Sequence, residues 1–465
     1  MSTAALILAA GEGTRMKSGL PKVAHPVLGV PMIRLVVAAA REAGCDPVVV
    51  VTGHGAHVVE GILAGESCVR QDRQLGTGHA VMCAREALGG FEGSLLVLSG
   101  DTPLMRPATL RGLAAACAEA GAAMALLTAR VPDPMLGRIV RGADGSVDRI
   151  VEAKDATTAE AAIDEVNTGT YCFDAGALFA HLDRLGTDNA QGEYYLTDMV
   201  SLFRGEGLPV VALTTDDPAE GMGVNTRVQL AEAAAVLQRR VNEAHMLAGV
   251  TMTDPSLVWV SPTVRLGRDV VLEPMTFLYG DTVVEDGAVV GPSARVTDST
   301  IGAGAVVDSS VLREVQVGPG ATVGPMGYLR PGTKLAPNAK TGAFVEVKNA
   351  TVGEGSKVPH LSYIGDAEIG AGVNVGAGSI TCNFDGRRKH RTVIGDGAFI
   401  GSDTMLVAPV TIGERAVTGA GSAIAKDVPA GALGIERTEQ RNVAGWADRR
   451  AARDESDTQG SGTQT

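Results

Sequence analysis

Aromatic side chains are scarce: 3% of the 465 residues, with only two tryptophans. A core of that composition has to be filled by Val, Leu, Ile and Ala, which excludes folds held together by large stacked rings. Cysteines are few and scattered singly, at Cys45, Cys68, Cys83, Cys117, Cys172 and Cys382. No pair stands at metal-ligand spacing, so zinc knuckles are excluded and free thiols in a reducing compartment are expected. No apolar run approaches the roughly 20 residues of a membrane-spanning helix. The run Ala4–Ala10 is too short for a secretory leader and passes directly into a glycine loop. Excess positive charge is also missing. A formal net charge of −13 argues against a general nucleic-acid or anionic-membrane binder, while leaving room for local basic patches. A soluble cytoplasmic protein is expected.

Glycine, with 60 residues, is abundant, and it accompanies a strict period. Leu266, Leu272, Leu278, Val284, Val290 and Val296 recur every six positions, as do Ile394, Ile400, Leu406, Ile412, Thr418 and Ile424. Six matches neither the 3.6 of a helix nor the 2 of a strand. It suits a parallel β-helix whose unit is one short strand and one corner, with the aliphatic residue inward and a small residue at the turn. Stacked coils bury a continuous column, each Val, Leu or Ile contributing roughly 1.5–3 kcal/mol. The frame slips near Ile301 and between Ile364 and Ile369, as irregular corners require.

Residues 1–226 read differently. Apolar strands at 5–9, 47–52, 94–98, 124–129, 169–173 and 210–213 alternate with helical patterns at 32–42, 78–87 and 108–120, the mark of an α/β domain with a mostly parallel sheet. Asp144-Gly145 separates two alternating runs and predicts a hairpin over 138–152. Residues 227–250 form a linker helix with Leu230, Ala234, Leu237, Val241 and Ala244 on one face and Gly249 as its stop. The repeats occupy 251–447, and the polar segment 448–465 is expected to be disordered.

After the first strand comes Leu8-Ala9-Ala10-Gly11-Glu12-Gly13-Thr14-Arg15, with Lys22 seven residues further on. Glycines let the backbone approach a phosphate, and the two cations suit its charge; a tight structural turn is the bland alternative. Gln74-Leu75-Gly76-Thr77-Gly78 adds a second glycine turn, and Ser99-Gly100-Asp101 sits just past a buried strand, where open α/β sheets carry active-site carboxylates. Together these segments resemble the sugar-phosphate nucleotidyltransferases. With the hexads behind them, the layout to about Trp446 resembles the bacterial bifunctional N-acetylglucosamine-1-phosphate uridylyltransferases and glucosamine-1-phosphate N-acetyltransferases. The resemblance implies a Rossmann-like nucleotidyltransferase domain, a linker helix and a left-handed parallel β-helix of hexapeptide repeats. It implies that Leu8, Ala9, Ala10, Gly11, Gln71, Gly76 and Thr77 cradle UTP, that Arg15 and Lys22 meet its phosphates as the catalytic cations, and that Asp101 and Asn225 hold Mg²⁺. Gly137, Glu152 and Asn167 fall at sugar-contacting positions. Relatives commonly carry an aromatic where Ser99 stands.

In the repeats, polar residues gather where the hexads break: Arg330, Lys348, His360, Tyr363, Asn374, Asn383 and Lys389-His390-Arg391. Acetyl transfer to an amine needs a base, oxyanion donors and cations for a substrate phosphate. His360 can be the base, and Arg330 and Lys348 can bind the phosphate. The resemblance adds Tyr363 and Asn374 to the sugar-phosphate site. It puts Ala377, Asn383, Phe384, Ser402, Ala420 and Arg437 along the acetyl-CoA path, and it implies a homotrimer. Phe384 stands where relatives often have Tyr. The basic run 387–391 reads equally as a solvated loop or a coenzyme A phosphate contact.

The expected function is a two-headed enzyme of cell-envelope precursor synthesis acting on small molecules only. Glucosamine 1-phosphate is acetylated from acetyl-CoA, and N-acetylglucosamine 1-phosphate then takes uridylyl from UTP. Two alternatives are a single-activity sugar nucleotidyltransferase with an oligomerising solenoid and a non-catalytic scaffold.

Overall fold

A computed structural model describes residues 2–460. The chain forms two compact units, 1–298 and 299–465. All six expected strands of the first domain are present, in a nine-stranded sheet. Its order is Val210–Thr214, Met124–Arg130, Glu165–Asp174, Ser94–Ser99, Thr3–Ala9, Val48–Thr52, Ser67–Arg70. The strand Glu165–Asp174 runs antiparallel to both neighbours. The adjoining pairs run parallel, so four strands, at 3–9, 48–52, 67–70 and 94–99, end on one edge. That antiparallel strand brings its beginning, not its end, to the same edge. The edge strand Ser67–Arg70 escapes the sequence reading because its residues are only partly buried and carry no apolar run. The hairpin lies where expected, Arg138–Arg141 pairing with Val147–Val151. Apolar clusters cover both faces of the sheet, around Phe173 and Phe203 on one side and Ile7, Ile33 and Leu98 on the other. The predicted helix over 78–87 is broken at Ala84 into Thr77–Cys83 and Arg85–Leu88.

The compact division falls at 298/299, inside the repeats, rather than at the 227–250 helix. The reason is local. Helix Arg227–Leu247 opens with a capping box between Thr226 and Gln229 and buries Ala233, Gln238 and Asn242. Gln238 Nε2 donates to the Val258 carbonyl at 2.7 Å, and Asn242 Nδ2 donates to those of Pro255 and Val258 at 2.8 Å. Buried amides satisfied by backbone carbonyls tie the helix to the first coil. The apolar pattern names the right side of the helix for Leu230, Ala234, Leu237 and Val241, which are half-buried, while Ala244 is exposed.

In the second unit the hexads become three faces of short parallel strands. One inward column runs Ile301, Val317, Leu335, Val352, Ile369, Ile394, Ile412, each residue paired in register with the next. All seven are nearly or fully buried. Between Ile369 and Ile394 the chain makes an excursion, a tight loop centred on Asp385. The close stacking accounts for the small residues at the corners: a Cβ at Gly376 would lie 2.4 Å from the Ser402 amide nitrogen. The tail corrects the expectation of disorder, because Trp446–Gly460 is a helix. Ala451 and Ala452 favour it, Arg450 lies over the Trp446 ring, and Arg450 and Asp454 are paired one turn apart. Residues 461–465 lie outside the described residues.

Candidate active sites

Four parallel strands end together, and the loops that leave them enclose a cavity of about 520 Å³. Leu8, Ala9, Ala10 and Gly11 come from the first strand, and Asp101 comes just after the strand Ser94–Ser99. Gln71 follows the edge strand, and Gly76 and Thr77 follow it. Lys22 closes one side. Gly76 has φ +104°, and a Cβ there would lie 2.6 Å from the Tyr194 carbonyl oxygen, so only glycine fits. Tyr194 in turn donates its N–H to Leu75 and accepts from Gly78, which clamps the turn against the segment at 193–194.

Asn225 is brought to the same place from 124 residues beyond Asp101, since 225 − 101 = 124. Val224 donates its N–H to the Asp101 carbonyl at 2.9 Å, which seats the Gly223-Val224-Asn225 segment beside that carboxylate. Lys22 Nζ bridges the two, paired with Asp101 Oδ2 and 2.9 Å from Asn225 Oδ1. Arg15 Nη2 donates to the same Asn225 oxygen at 2.9 Å. Lys22 and Asp101 are only 15% and 17% exposed, so this is no surface ion pair screened by water.

The three sugar-position residues also converge. Asn167 donates its backbone N–H to the Gly137 carbonyl at 2.9 Å, and a Cβ on Gly137 would lie 3.6 Å from Glu152 Oε2. Glu152 accepts from the Thr197 hydroxyl at 3.1 Å. Burial pushes its carboxyl above the ordinary range, aided by Asp155 and Asp198 and opposed by the Thr197 bond. Asn167 Nδ2 donates to the buried Tyr171 hydroxyl at 2.7 Å, which fixes the amide. Ser99 lines the cavity where relatives were expected to have a ring, and its Oγ faces Gly169, 3.3 Å from where a Cβ would stand. Glu12, His54, Gln74 and Glu193 line the cavity too, and the sequence reading gave none of them a role. His54 could have been found, since it follows a strand end and a glycine, as Asp101 does.

The second constellation lies on the outer surface of the prism. Arg330 follows the strand Tyr328–Leu329 and Lys348 ends the strand Glu346–Lys348, one coil further on, because Leu329 and Val347 are register partners. Arg330 donates to Glu346 Oε1 at 2.7 Å. The neighbouring Lys389 ammonium holds Lys348 below the usual lysine range. Burial alone would raise Asp366, but hydrogen bonds from Asn349 and Asn383 and the nearby Lys389 and Lys348 hold it low. The Tyr363 hydroxyl and Asn383 Nδ2 both lie over Gly365, 2.4 and 2.7 Å from where a Cβ would stand. Arg330, Lys348, Tyr363 and Lys389 therefore form one cationic, hydroxyl-bearing edge. Asn383 reaches that edge through its hydrogen bond to Asp366. Lys389, one of the polar residues gathered where the hexads break, joins it as well.

His360 is exposed at the end of strand Lys357–His360, on the neighbouring face. Asn374 shares that face, paired with Lys357 and Phe399, and among the described residues no hydrogen bond joins it to the cationic edge. Ala377, Ser402 and Ala420 stack at one corner in successive coils: Asp403 donates its N–H to Ala377, and Gly421 to Ser402. Arg437 donates to the Ala420 carbonyl at 3.0 Å, which attaches it to this corner. Phe384, on the loop after Asn383, is 59% exposed. The loop carrying the basic run 387–391 is shaped by Asp385, while the Arg387, Arg388, Lys389 and Arg391 side chains are exposed. Arg387 and Arg388 donate backbone N–H groups to Asp385 Oδ1 at 2.7 Å, and His390 Nε2 meets Asp385 Oδ2 at 2.8 Å. These bonds hold the Asp385 carboxyl down at about 2.

A nucleotide-sized cleft at the head of a parallel sheet, followed by a hexapeptide prism with its own cationic edge, defines a two-domain transferase. Residues 5–188 match the MobA-like NTP transferase domain, and 391–426 match the bacterial transferase hexapeptide of six repeats. The bifunctional protein GlmU of Trichlorobacter lovleyi is 51% identical over 449 residues, 96% of this chain and 98% of the relative. That of Heliobacterium modesticaldum is 51% identical, covering 94% and 96%. The Streptomyces avermitilis protein of the same name is 49% identical, covering 96% and 94%. The chain belongs to the bifunctional GlmU family. Among the described residues no helix is long and apolar enough to cross a membrane.

Proposed function

We propose that the chain carries two reactions of UDP-N-acetylglucosamine synthesis at two separate centres. Residues 1–226 transfer uridylyl from UTP to N-acetylglucosamine 1-phosphate, and residues 251–447 acetylate glucosamine 1-phosphate from acetyl-CoA. The observation that carries the first assignment is the convergence of Asp101 and Asn225 oxygens on one cation inside a nucleotide-sized cavity.

In the first reaction a sugar phosphate oxygen, already anionic, attacks the α-phosphorus; that P–O bond forms as the bond to the β-phosphate breaks and pyrophosphate leaves. No base is needed, so the residues that matter neutralise charge and align groups. Arg15 and Lys22 supply positive charge for the triphosphate, Gln71, Gly76 and Thr77 hold the base, and Gly137, Glu152 and Asn167 hold the sugar. The Asp101 carboxylate and Asn225 amide oxygen already accommodate one cation, the Lys22 ammonium. Hard oxygen donors of this kind suit Mg²⁺. Among the described residues no cluster of three His, Cys, Asp or Glu side chains could hold a metal ion. Substrate oxygens and water would complete the shell. When bound, Mg²⁺ would neutralise the triphosphate and the charge developing on the leaving group.

In the second reaction His360 takes a proton from the ammonium, and the free amine attacks the thioester carbonyl. The C–N bond forms, the C–S bond breaks, and the coenzyme leaves as a thiol. Arg330, Lys348, Tyr363 and Lys389 bind the sugar phosphate; the repulsion between Lys348 and Lys389 is the kind an anion relieves. Asn374 orients the sugar, and the corner of Ala377, Ser402 and Ala420, with Asn383, Phe384 and Arg437, receives acetyl-CoA. These groups lie on outer faces of one prism, which supports a homotrimer in which a neighbouring copy supplies the missing wall. We place the enzyme in the cytoplasm, where UTP and acetyl-CoA are made. One assay tests the whole reading: pyrophosphate and free coenzyme A followed together, with both expected and neither or one alone contradicting it.

A further inference from the structure

Gln71 follows the edge strand Ser67–Arg70, is 3% exposed and lines the nucleotide cavity. Its Nε2 lies 3.1 Å from the Gly76 carbonyl oxygen and 2.9 Å from Nδ1 of His79. A carbonyl can only accept, so the nitrogen end of the amide must be the one turned this way. Nδ1 of His79 then accepts the second amide hydrogen, which puts the imidazole proton on its own Nε2. Both hydrogens of the Gln71 amide are thus used inside the protein. Its Oε1 takes no hydrogen bond among the described residues and remains for a ligand.

The imidazole is itself held. It stacks on Tyr194 with ring centroids 6.4 Å apart and planes at 27°, and the backbone of Tyr194 is bonded to Leu75 and Gly78 on either side of Gly76. The nearest other polar side-chain atom to Nδ1 with which it is paired is Cys83 Sγ, one turn on at 4.0 Å, too far to compete.

We propose that His79 is a positioning residue that fixes the Gln71 amide with its oxygen toward the cavity, so that the cleft selects a base offering an N–H there over one offering a lone pair: uracil over cytosine. Uracil carries N3–H, whereas the same atom of cytosine is an acceptor and would face the amide oxygen lone pair to lone pair. Sites built to pair a substrate N–H discriminate strongly against the analogue that lacks it. The inference rests on the uridylyltransferase reading of this cleft and adds the residue that orients its base reader.

The test uses the full-length protein, with UTP and CTP compared both by calorimetric binding and by turnover with N-acetylglucosamine 1-phosphate. The wild type should prefer UTP by about 100-fold or more in kcat/KM. His79→Phe keeps a ring against Tyr194 and removes the acceptor. It should lower the UTP/CTP ratio about 10-fold, through KM rather than kcat. His79→Asn returns an acceptor near the Nδ1 position and should restore most of the ratio. His79→Leu replaces the Phe variant if the larger ring does not fold. A UTP/CTP ratio unchanged in the variant lacking the acceptor, or an Asn variant as impaired as Phe, overturns the role of His79. A wild type that binds UTP selectively but transfers no uridylyl would instead overturn the reaction assigned to the cleft, since the binding ratio reads His79 without turnover.

Discussion

In the α/β cleft the functional groups come from strand ends, and each is held by a neighbour inside the same chain: Asp101 by Lys22, Asn225 by Arg15, Gln71 by Gly76 and His79, Glu152 by Thr197. On the prism they occupy outward positions of coils whose inward residues form the column from Ile301 to Ile412, and His360 stands exposed. One site is a cavity made by convergent loops. The other is an edge made by repetition, to which each coil adds a side chain at nearly the same angle. A sheet edge can gather residues from unrelated segments, as with Asp101 and Asn225, whereas a solenoid gathers residues from successive coils, as with Arg330 and Lys348.

That contrast can be broken by variants which should strike one centre and spare the other. The largest effect is expected at the buried cation site: Asp101→Asn should lower pyrophosphate release by about 1,000-fold or more while acetyl transfer is unchanged. His360→Ala should lower coenzyme A release by about 100-fold or more with uridylyl transfer intact, measured from supplied N-acetylglucosamine 1-phosphate. A smaller effect belongs to the cationic edge. Lys348→Ala should raise KM for glucosamine 1-phosphate by about 10-fold, more than it changes kcat, as the loss of one charged hydrogen bond implies.

The smallest effect is on stability. Burial raises the Glu152 carboxyl, so the folded state holds that proton more tightly than the unfolded chain does. Its contribution is complete below the ordinary glutamate range and is lost as pH rises through the raised value. Glu152→Gln keeps the side chain neutral throughout. It should raise Tm by about 1–3 °C at pH 8 and leave it unchanged at pH 4, as thermal melts would register.

The prism was readable in sequence because its physics is periodic: one inward aliphatic residue per hexad suffices to place each strand, and the glycines mark corners where a Cβ would collide. The cleft was readable at Gly11, Gly76 and Asp101 because strand ends and special backbone leave a local trace. The convergence of Asn225 on Asp101 leaves none, since it depends on the Val224 amide finding one particular carbonyl. Nor does the role of the helix Arg227–Leu247, whose buried face rests on Gln238 and Asn242, two polar residues that an apolar pattern passes over. The burial of Asn383 against Asp366 leaves no local trace either, since its neighbour Phe384 is exposed. Polarity alone suggests disorder in the tail, whereas over Trp446–Gly460 its alanines and spaced charges suit a solvated helix.

The independence of the two centres is tested most directly by mixing. Asp101→Asn and His360→Ala proteins, each separately unable to carry glucosamine 1-phosphate through to the nucleotide sugar, are combined with acetyl-CoA and UTP, and UDP-N-acetylglucosamine is measured. The mixture should make it, with free N-acetylglucosamine 1-phosphate passing from one protein to the other. A mixture that makes none, although each variant retains its own half-reaction, would contradict two self-sufficient centres on one chain.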